Sequence, residues 1–130
     1  MIKIGIIGLS EGNGHPYSFS AIINGYDKKF MAESGWKGIY EYLNLKDESD
    51  FLLGKAKITH VWTQSKAESE KISKATHIKN ICDNYEDMIG EVDAVIIARD
   101  DYKLHCEMAK PFLEAGLSVF VDKPLSVNKD

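Results

Sequence analysis

Four short apolar segments constrain the fold of this chain more than any other feature of its sequence. They are rich in β-branched residues and lack the polar alternation of a half-exposed strand. Their positions are 3–8 (KIGIIG), 57–63 (KITHVWT), 93–98 (DAVIIA) and 117–122 (LSVFVD). Runs of this kind predict strands that are buried on both faces of a parallel sheet. A weaker run at 77–82 (HIKNIC) predicts a short additional strand.

Helical signals lie between the predicted strands. A helix is predicted over residues 17–26, because Pro16 suits a first turn, where its missing N–H loses no helical hydrogen bond. Ser65 and Glu68 have the spacing of a capping box. This pair predicts a helix that begins at residue 66 and ends near residue 75.

A second pair with capping-box spacing, Asp83 and Glu86, predicts a short helix that ends near Gly90. A longer helix is predicted over residues 102–115, with Gly116 at its carboxyl-terminal cap. Strands that alternate with helices predict a parallel sheet with right-handed crossovers. The expected fold class is therefore α/β, a doubly wound Rossmann sheet whose ligand lies at the carboxyl ends of the strands.

Residues 27–56 interrupt this alternation as an inserted segment between the first helix and the second strand. The segment is too apolar for an exposed linker, because it contains Trp36, Ile39, Tyr40, Tyr42 and Leu43. We expect part of it to pack against the domain, with helical structure as one option. The charged run at 46–50 (KDESD) predicts an exposed turn.

Length and composition limit the function classes. A chain of 130 residues suits one domain, which we place at 1–130. The net charge of −4 and the scattered lysines argue against nucleic acid as a partner. The two cysteines form no Cys-x-x-Cys motif, so reduced thiols in a cytoplasmic protein are expected. No apolar run is long enough for a membrane span.

A glycine-rich run follows the first predicted strand and precedes the first helix. A loop in this position cradles phosphate, because glycines let the backbone approach closely and the helix N–H groups face the anion. The candidate cofactor-binding residues here are Gly8, Ser10, Gly12, Asn13, Gly14 and His15. The spacing is Gly-x-x-x-Gly-x-Gly, with Ser10 where the dinucleotide pattern Gly-x-Gly-x-x-Gly has its second glycine. A simple tight turn is the alternative. His15 could donate to a phosphate or substrate, or cap the helix.

The end of the second strand is where an acid usually holds the adenosine ribose. Here Thr63 and Gln64 take that position, and no carboxylate follows. Gln64 could bind a ribose hydroxyl and Lys66 a 2′-phosphate, so NAD and NADP both remain open as the cofactor. No residues have the spacing of a metal site on a helix, so no metal is predicted, and His60 and His77 are interpreted as structural.

Arg99 is the only arginine of the chain, and it follows the strand predicted at 93–98. That position lies at the expected ligand crevice. Arg99 could reach the cofactor or an anionic substrate, or it could pair with Asp100 or Asp101 at the surface.

The carboxyl-terminal part of the chain resembles the glucose–fructose oxidoreductase, inositol dehydrogenase and rhizopine-catabolism (Gfo/Idh/MocA) family. The resemblance lies in 91–98 (EVDAVIIA), His105 and 114–126 (EAGLSVFVDKPLS), and Lys123-Pro124 is its most specific part. Asp122 stands where the family has glutamate. The resemblance implies a nicotinamide-dependent oxidoreductase that acts on sugars or polyols. It implies that Lys123 is the catalytic lysine beside the nicotinamide and the substrate hydroxyl, and that the cofactor site includes Asp100, His105, Asp122 and Pro124.

Members of this family are longer and have a second domain that completes the substrate pocket and forms an oligomer surface. Ser126 resembles the N-cap of a helix that the chain does not finish, which favours a truncated chain. We therefore expect residues 1–130 to bind NAD or NADP but not to catalyse alone, with the small-molecule substrate requiring the second domain. The substrate and the oligomeric state, including a homo-oligomer, stay open.

Two other functions fit the same residues. A non-catalytic Rossmann module, serving as a nucleotide sensor or assembly part, would explain Ser10 and the missing ribose acid. An S-adenosylmethionine-dependent methyltransferase is less favoured, because such folds usually have an acid at the end of the second strand, which Gln64 does not supply.

Overall fold

The computed structural model describes residues 1–52 and 54–122 and contains a five-stranded parallel sheet. The spatial order of the strands is β3-β2-β1-β4-β5, and every neighbouring pair is parallel. The strands are β1 (Ile2–Ile7), β2 (Ala56–Trp62), β3 (Asn80–Ile81), β4 (Ala94–Ile97) and β5 (Ser118–Val121). The chain reverses its direction of travel across the sheet between β1 and β4, which is the switch point where doubly wound folds bind ligands. The predicted α/β fold class is confirmed.

Five α-helices connect these strands in the described part of the chain. They are α1 (His15–Asn24), α2 (Lys28–Ala32), α3 (Lys37–Asn44), α4 (Lys66–Thr76) and α5 (Tyr102–Glu114). Short 3-10 helices occur at Glu48–Asp50 and Tyr85–Met88. Among the described residues, no helix is both long and apolar enough to cross a membrane.

The sheet separates two hydrophobic clusters. Consecutive strand residues point to opposite faces, so Ile6 and Ile7 of β1, both fully buried, belong to different clusters. The cluster around Ile6 includes Tyr17 of α1 and Ile72 of α4, and the cluster around Ile7 includes Phe112 of α5. Helices therefore cover both faces of the sheet, and the carboxyl ends of β1, β2, β4 and β5 form one edge.

The inserted segment packs against the domain, as the sequence predicted, and part of it takes the helical option that the sequence left open. It forms α2, α3 and the exposed 3-10 turn Glu48–Asp50. Met31 and Leu43 are fully buried in the cluster around Ile6, and Trp36 packs against the edge of that cluster. Asp27 caps α2 by accepting a hydrogen bond from the N–H of Phe30.

Some predicted boundaries were wrong. The first helix begins at His15 and ends at Asn24 rather than spanning 17–26, because Gly14 is its N-cap and Gly25, with φ of 80°, ends it. The strand predicted over 77–82 is only Asn80–Ile81. His77, with φ of 58°, forms the left-handed cap of α4, which leaves few residues to pair with β2.

The predicted capping boxes were partly wrong. Ser65 does accept a hydrogen bond from the N–H of Glu68, but the Glu68 carboxylate accepts from the Tyr17 hydroxyl at 3.3 Å. The second box is shifted by one residue, since Asn84 and Asp87 form it. A spacing rule identifies several equivalent pairs along a polar run, and packing of the following turn decides among them. At the end of α5, Gly116 has φ of 84°, and its N–H donates to the carbonyl of Leu113.

Candidate functional site

The glycine loop, residues 8–14, connects β1 to α1 at the carboxyl edge of the sheet. Gly12 has φ of 79°, and a Cβ atom there would meet no atom within 4 Å, so the backbone is open to an approaching ligand. Gly8 lies against α1 instead, because a Cβ atom there would be 2.5 Å from Cγ of Pro16. The two glycines thus differ in role: Gly8 permits close packing, and Gly12 forms the open surface of the loop.

Ser10 holds the loop in place. The N–H of Asn13 donates to the Ser10 carbonyl at 3.1 Å, which closes the loop into a narrow turn. The Ser10 hydroxyl accepts a 2.8 Å hydrogen bond from the N–H of Asp100, at the end of β4. The side chain that replaces the second glycine of the dinucleotide pattern therefore ties two strand ends together.

Gly14 is required by the inserted segment. A Cβ atom there would be 2.2 Å from Cδ1 of Ile39 and 2.8 Å from Cε3 of Trp36. Any larger residue would push α3 away from the glycine loop. The insertion is thus built directly against the first turn of α1.

A hydrogen-bond network joins the glycine loop to the ends of β4 and β5. Nδ2 of Asn13, which is 4% exposed, donates to Asp100 Oδ1 at 2.7 Å and to Asp122 Oδ2 at 3.0 Å. Oδ1 of Asn13 accepts from the N–H of His15 at 2.9 Å. A buried amide that donates to two carboxylates fixes their separation and relieves their mutual repulsion.

His15 pairs with Asp122 and does not cap α1 with its side chain. Its Nδ1 lies 2.5 Å from Oδ2 of Asp122, and its ring stacks on Phe19 with centroids 4.5 Å apart. About half of the His15 side chain is exposed. A carboxylate on one ring nitrogen fixes the orientation of the other, which is how histidines are prepared for hydrogen bonding or proton transfer.

Arg99 pairs with Asp101, one of the alternatives that the sequence left open, with the guanidinium buried and the carboxylate partly exposed. The guanidinium donates from Nε at 2.9 Å and from Nη2 at 2.7 Å, and the Arg99 residue is only 7% exposed. Burial alone would raise the pKa of Asp101, but the hydrogen bonds and charge of Arg99 outweigh it and lower that pKa. Nη1 of Arg99 also donates to the carbonyl of Gly8 at 3.1 Å.

Gln64 also holds the glycine loop, as Ser10 and Arg99 do. Its Oε1 accepts from the N–H of Leu9 at 2.9 Å and from Nη1 of Arg99 at 3.1 Å, and its Nε2 donates to the Leu9 carbonyl. The amide therefore pairs with Leu9 much as a neighbouring strand would. The side chain of Thr63 is also engaged, with its hydroxyl 2.8 Å from that of Ser69.

His105 lies beneath the site. It is fully buried on α5, and its Nε2 contacts the carbonyl of Arg99. It thus supports the turn after β4 from inside and has no surface in contact with the crevice. The predicted residues Lys123 and Pro124 lie outside the described residues. Apart from His105, the remaining predicted residues lie where β1, β2, β4 and β5 end, at the carboxyl edge of the sheet.

An open groove of about 760 Å3 extends from the glycine loop along α1 to the inserted helix α3. Its walls include His15 and Phe19 on one side and Trp36 and Tyr42 on the other, with Asp100 at one end. The volume is in the range of pockets for small molecules, roughly 300–1,000 Å3. In the described ranges, no cluster of three or more histidine, cysteine or acidic residues could hold a metal ion.

The loop fits the diphosphate of a dinucleotide. Gly12 and Gly14 have N–H groups with no acceptor in the part of the chain that the structure describes, and Gly14 is the N-cap of α1. Nothing would obstruct a ligand above Gly12. Unpaired N–H groups at the start of a helix favour an anion. The fold and this loop define the dinucleotide-binding class of Rossmann domains.

Comparisons with known proteins give the family. A family model described as the oxidoreductase family with an NAD-binding Rossmann fold, Gfo/Idh/MocA, matches residues 2–130. The chain therefore belongs to this family, and it is an NAD-binding Rossmann domain of that kind. A comparison with curated protein sequences found no match.

Solved structures agree on the fold. One is scyllo-inositol dehydrogenase from Lactobacillus casei with bound NAD(H) and scyllo-inositol, which is 22% identical to this chain with a TM-score of 0.63. The match covers 98% of this chain and 29% of the dehydrogenase chain. A dehydrogenase from Clostridium difficile is 23% identical to this chain, with a TM-score of 0.65. The match covers 98% of this chain and 32% of the dehydrogenase chain. Myo-inositol 2-dehydrogenase from Lactobacillus plantarum is 21% identical to this chain, with a TM-score of 0.63. The match covers 98% of this chain and 30% of the dehydrogenase chain. This chain thus spans about 30% of the length of such structures.

Sequence reasoning missed several residues of the site. Trp36 and Ile39 were assigned to packing, but they also determine that residue 14 is glycine and form a wall of the groove. The sequence gives no sign that Leu9 belongs to the site, because it contacts Gln64 through its backbone N–H and carbonyl and not through its side chain. Asp101 was named only as one of two possible partners of Arg99. The signal for this pair was that the two residues are two positions apart in the sequence.

Proposed function

We propose that this chain supplies the dinucleotide-binding part of an oxidoreductase that acts on a sugar or polyol. The observation that carries the proposal is the open surface of Gly12, together with the N–H groups of Gly12 and of the N-cap Gly14, which have no acceptor among the described residues. The diphosphate would lie there, with the adenosine toward the end of β2 and the nicotinamide toward the ends of β4 and β5.

A bound nicotinamide dinucleotide exchanges a hydride with a carbon of the substrate. The chain's own residues orient the reactants at this edge. Asn13 holds the Asp100 and Asp122 carboxylates together, and Asp122 orients His15 toward the groove. Lys123 follows Asp122 directly in the sequence, so we propose it as the group that stabilises the developing alkoxide.

The groove between α1 and α3 supports a polyol or sugar as the substrate. Its walls combine the aromatic rings of Phe19, Trp36 and Tyr42 with the polar groups of His15 and Asp100. Aromatic faces cover the C–H groups of a sugar ring, and polar groups bind its hydroxyls. Related solved structures are inositol dehydrogenases, one of them with bound NAD(H) and scyllo-inositol.

Further parts of the proposal concern the cell and assembly. We place the protein in the cytoplasm because Cys82 and Cys106 are free thiols. We place activity in a homo-oligomeric assembly with a second, substrate-binding domain, and we propose no nucleic-acid partner because the chain is acidic.

Isothermal titration of the purified chain with NADH and with NADPH tests the proposal. Binding of at least one is expected, and at a hundredfold excess over Kd it should add about 2.7 kcal/mol to the free energy of unfolding. Gly12→Val should abolish binding. Gly90→Val is the matched control, because Gly90 also has a positive φ and open space around it but lies far from the loop in sequence.

The outcomes separate the two functions considered. Loss of binding in Gly12→Val alone supports the cradle, and Lys123→Ala should then change Kd by less than about threefold, because its proposed role is in the reaction. A folded wild-type chain that binds neither nucleotide would contradict the proposal and favour a non-catalytic Rossmann module. Folding is checked in each case by far-UV circular dichroism.

A further inference from the structure

The end of β2 is the position where Rossmann domains distinguish NAD from NADP. In this chain it is followed by Thr63, Gln64, Ser65 and Lys66. A ribose 2′-hydroxyl is held mainly by an acceptor, usually a carboxylate, whereas a 2′-phosphate accepts hydrogen bonds and needs donors and positive charge. The preference for NAD or NADP therefore depends on which acceptors and donors this turn leaves available.

The acceptors of this turn are already engaged. Oε1 of Gln64 accepts from both Leu9 and Arg99, and Oγ1 of Thr63 accepts from the N–H of Ser65 at 3.2 Å. Oγ of Ser65 accepts from the N–H of Glu68 as the cap of α4. A ribose hydroxyl would have to break one of these contacts, each of which stabilises the loop or the helix.

The carboxylates of Glu68 and Asp101 are also engaged. Glu68 receives the Tyr17 hydroxyl through Oε2, and its Oε1 is 3.6 Å from the ammonium of Lys71. The Asp101 carboxylate is paired with the guanidinium of Arg99. Neither of these two carboxylates is thus left to bind a 2′-hydroxyl or to repel a 2′-phosphate at this turn.

The donors, by contrast, are available. Lys66 is the first residue of α4, is exposed, and forms no ion pair with any residue in the described ranges. The Ser65 hydroxyl, half-buried beside it, accepts a bond from Glu68 and retains its own hydrogen for donation. An ammonium and a hydroxyl on adjacent residues suit a phosphate dianion.

We propose that the domain selects the 2′-phosphorylated dinucleotide, NADP(H), and that Lys66 is the residue that determines this selectivity. The inference rests on the proposed function, because it assigns the adenosine ribose to the end of β2. It goes beyond that function in naming which of the two nicotinamide cofactors is used and which side chain decides.

The test compares the Kd of NADPH and of NADH for the intact chain, measured by titration of nucleotide fluorescence. NADPH should bind about tenfold more tightly, which is the usual effect of one charge-assisted hydrogen bond. Lys66→Ala should bring the two Kd values to within about threefold, by weakening NADPH and leaving NADH nearly unchanged. Lys66→Glu should reverse the preference. Lys79→Ala is the control, since it removes an exposed lysine beyond the end of α4.

Salt dependence provides an independent measurement. The ratio of the two Kd values should fall as ionic strength rises from about 0.05 to about 0.5 M, because the contact with Lys66 is exposed and screened. A ratio that does not change with salt would count against a charge contact.

Adenosine 2′,5′-bisphosphate separates failure of this inference from failure of the proposed function. In ¹⁵N-labelled protein it should shift the amide signals of Ser65 and Lys66 more strongly than adenosine 5′-monophosphate does. Equal or tighter binding of NADH by the wild type would overturn the inference and leave the proposed function standing. If neither dinucleotide bound and neither fragment shifted these signals, both would be overturned.

Discussion

At the residue scale, the site depends on positions where one atom decides the local packing. Gly14 lies so close to Ile39 and Trp36 that a single methyl group has no room, whereas Gly38 in α3 has nothing near it. The whole side-chain amide is used at two positions: Asn13 binds Asp100, Asp122 and the N–H of His15, and Gln64 binds Leu9 and Arg99. Such residues link the glycine loop to the rest of the domain.

Gly14→Ala should destabilise the domain by about 1–3 kcal/mol, because the new methyl group must displace Ile39 or Trp36. Gly38→Ala should be neutral or add up to about 1 kcal/mol, since it lies in a helix with open space around it. Urea unfolding followed by circular dichroism measures both. Equal effects of the two substitutions would contradict the packing role of Gly14.

Asp101 should make stability depend on acid pH. Its pKa in the folded protein is lowered, so its contribution is fully present above the unfolded pKa of about 4 and is lost as pH falls below that value. Asp101→Asn should lower the free energy of unfolding by about 1–3 kcal/mol at neutral pH, because the buried Arg99 loses its charged partner. The variant should also lose less stability than the wild type as the pH falls. Urea unfolding at several pH values between about 6 and 3 measures this.

The control for Asp101 is Glu114→Gln, which removes an exposed ion pair with Lys110. It should change the unfolding free energy by less than about 1 kcal/mol at neutral pH. A steep acid limb that survives in Asp101→Asn would show that other carboxylates determine the acid sensitivity.

At the scale of elements, the insertion changes an ordinary Rossmann crossover into part of a site. The helices α2 and α3 leave α1, pack beside it and return to the glycine loop before β2 begins. Their burial rests on few side chains, chiefly Met31, Trp36 and Leu43. The groove therefore has one wall from the sheet domain and one from the insertion.

Trp36→Ala should loosen the insertion while leaving the sheet intact. Loss of a large, partly buried aromatic side chain costs about 3 kcal/mol or more when the gap cannot close. Hydrogen–deuterium exchange should become faster in α2 and α3 but not in β1 or β4. Leu45→Ala, at a side chain that is 85% exposed, should leave exchange unchanged. Faster exchange throughout the domain would show that the insertion belongs to the main cooperative unit.

At the scale of the whole molecule, two clusters on opposite faces of the sheet share the strands, so groups buried in either cluster affect the stability of the entire domain. Burial, with smaller effects from Asp87, Asp83 and Glu91, raises the pKa of Cys82 to about 11. Burial and the neighbouring Glu68 also raise the pKa of Tyr17. Both groups favour the neutral form in the folded state.

The domain should therefore lose stability in alkaline solution. Raised pKa values mean that the contribution is complete below the unfolded values and is lost as pH rises through about 9 toward about 11. Cys82→Ala should reduce the loss of stability over that interval, whereas Cys106→Ala, at an exposed thiol, should not. Thermal unfolding at fixed ionic strength measures the trend. Identical pH profiles for both variants would contradict the role of Cys82.

The sequence by itself determined the strands, the alternation with helices, the glycine loop and the family resemblance. These are local patterns: runs of four to seven residues such as β2 and β4 announce buried strands through composition alone. Asp100 and Asp122 were assigned to the site through the family resemblance, and both follow predicted strands of one parallel sheet. The placement of all these residues at one edge follows from strand order and needs no coordinates.

Only the tertiary structure decided which partner each polar group takes. His15 and Asp122 are 107 positions apart, and Leu9 and Gln64 are 55 apart, so no spacing rule links them. Gln64 could equally have faced a ribose, and Gly14 could have served only the phosphate. The choice depends on where the insertion packs and how the loop folds. Hydrogen bonds are short and directional, so such partners are fixed only when the whole fold is in place.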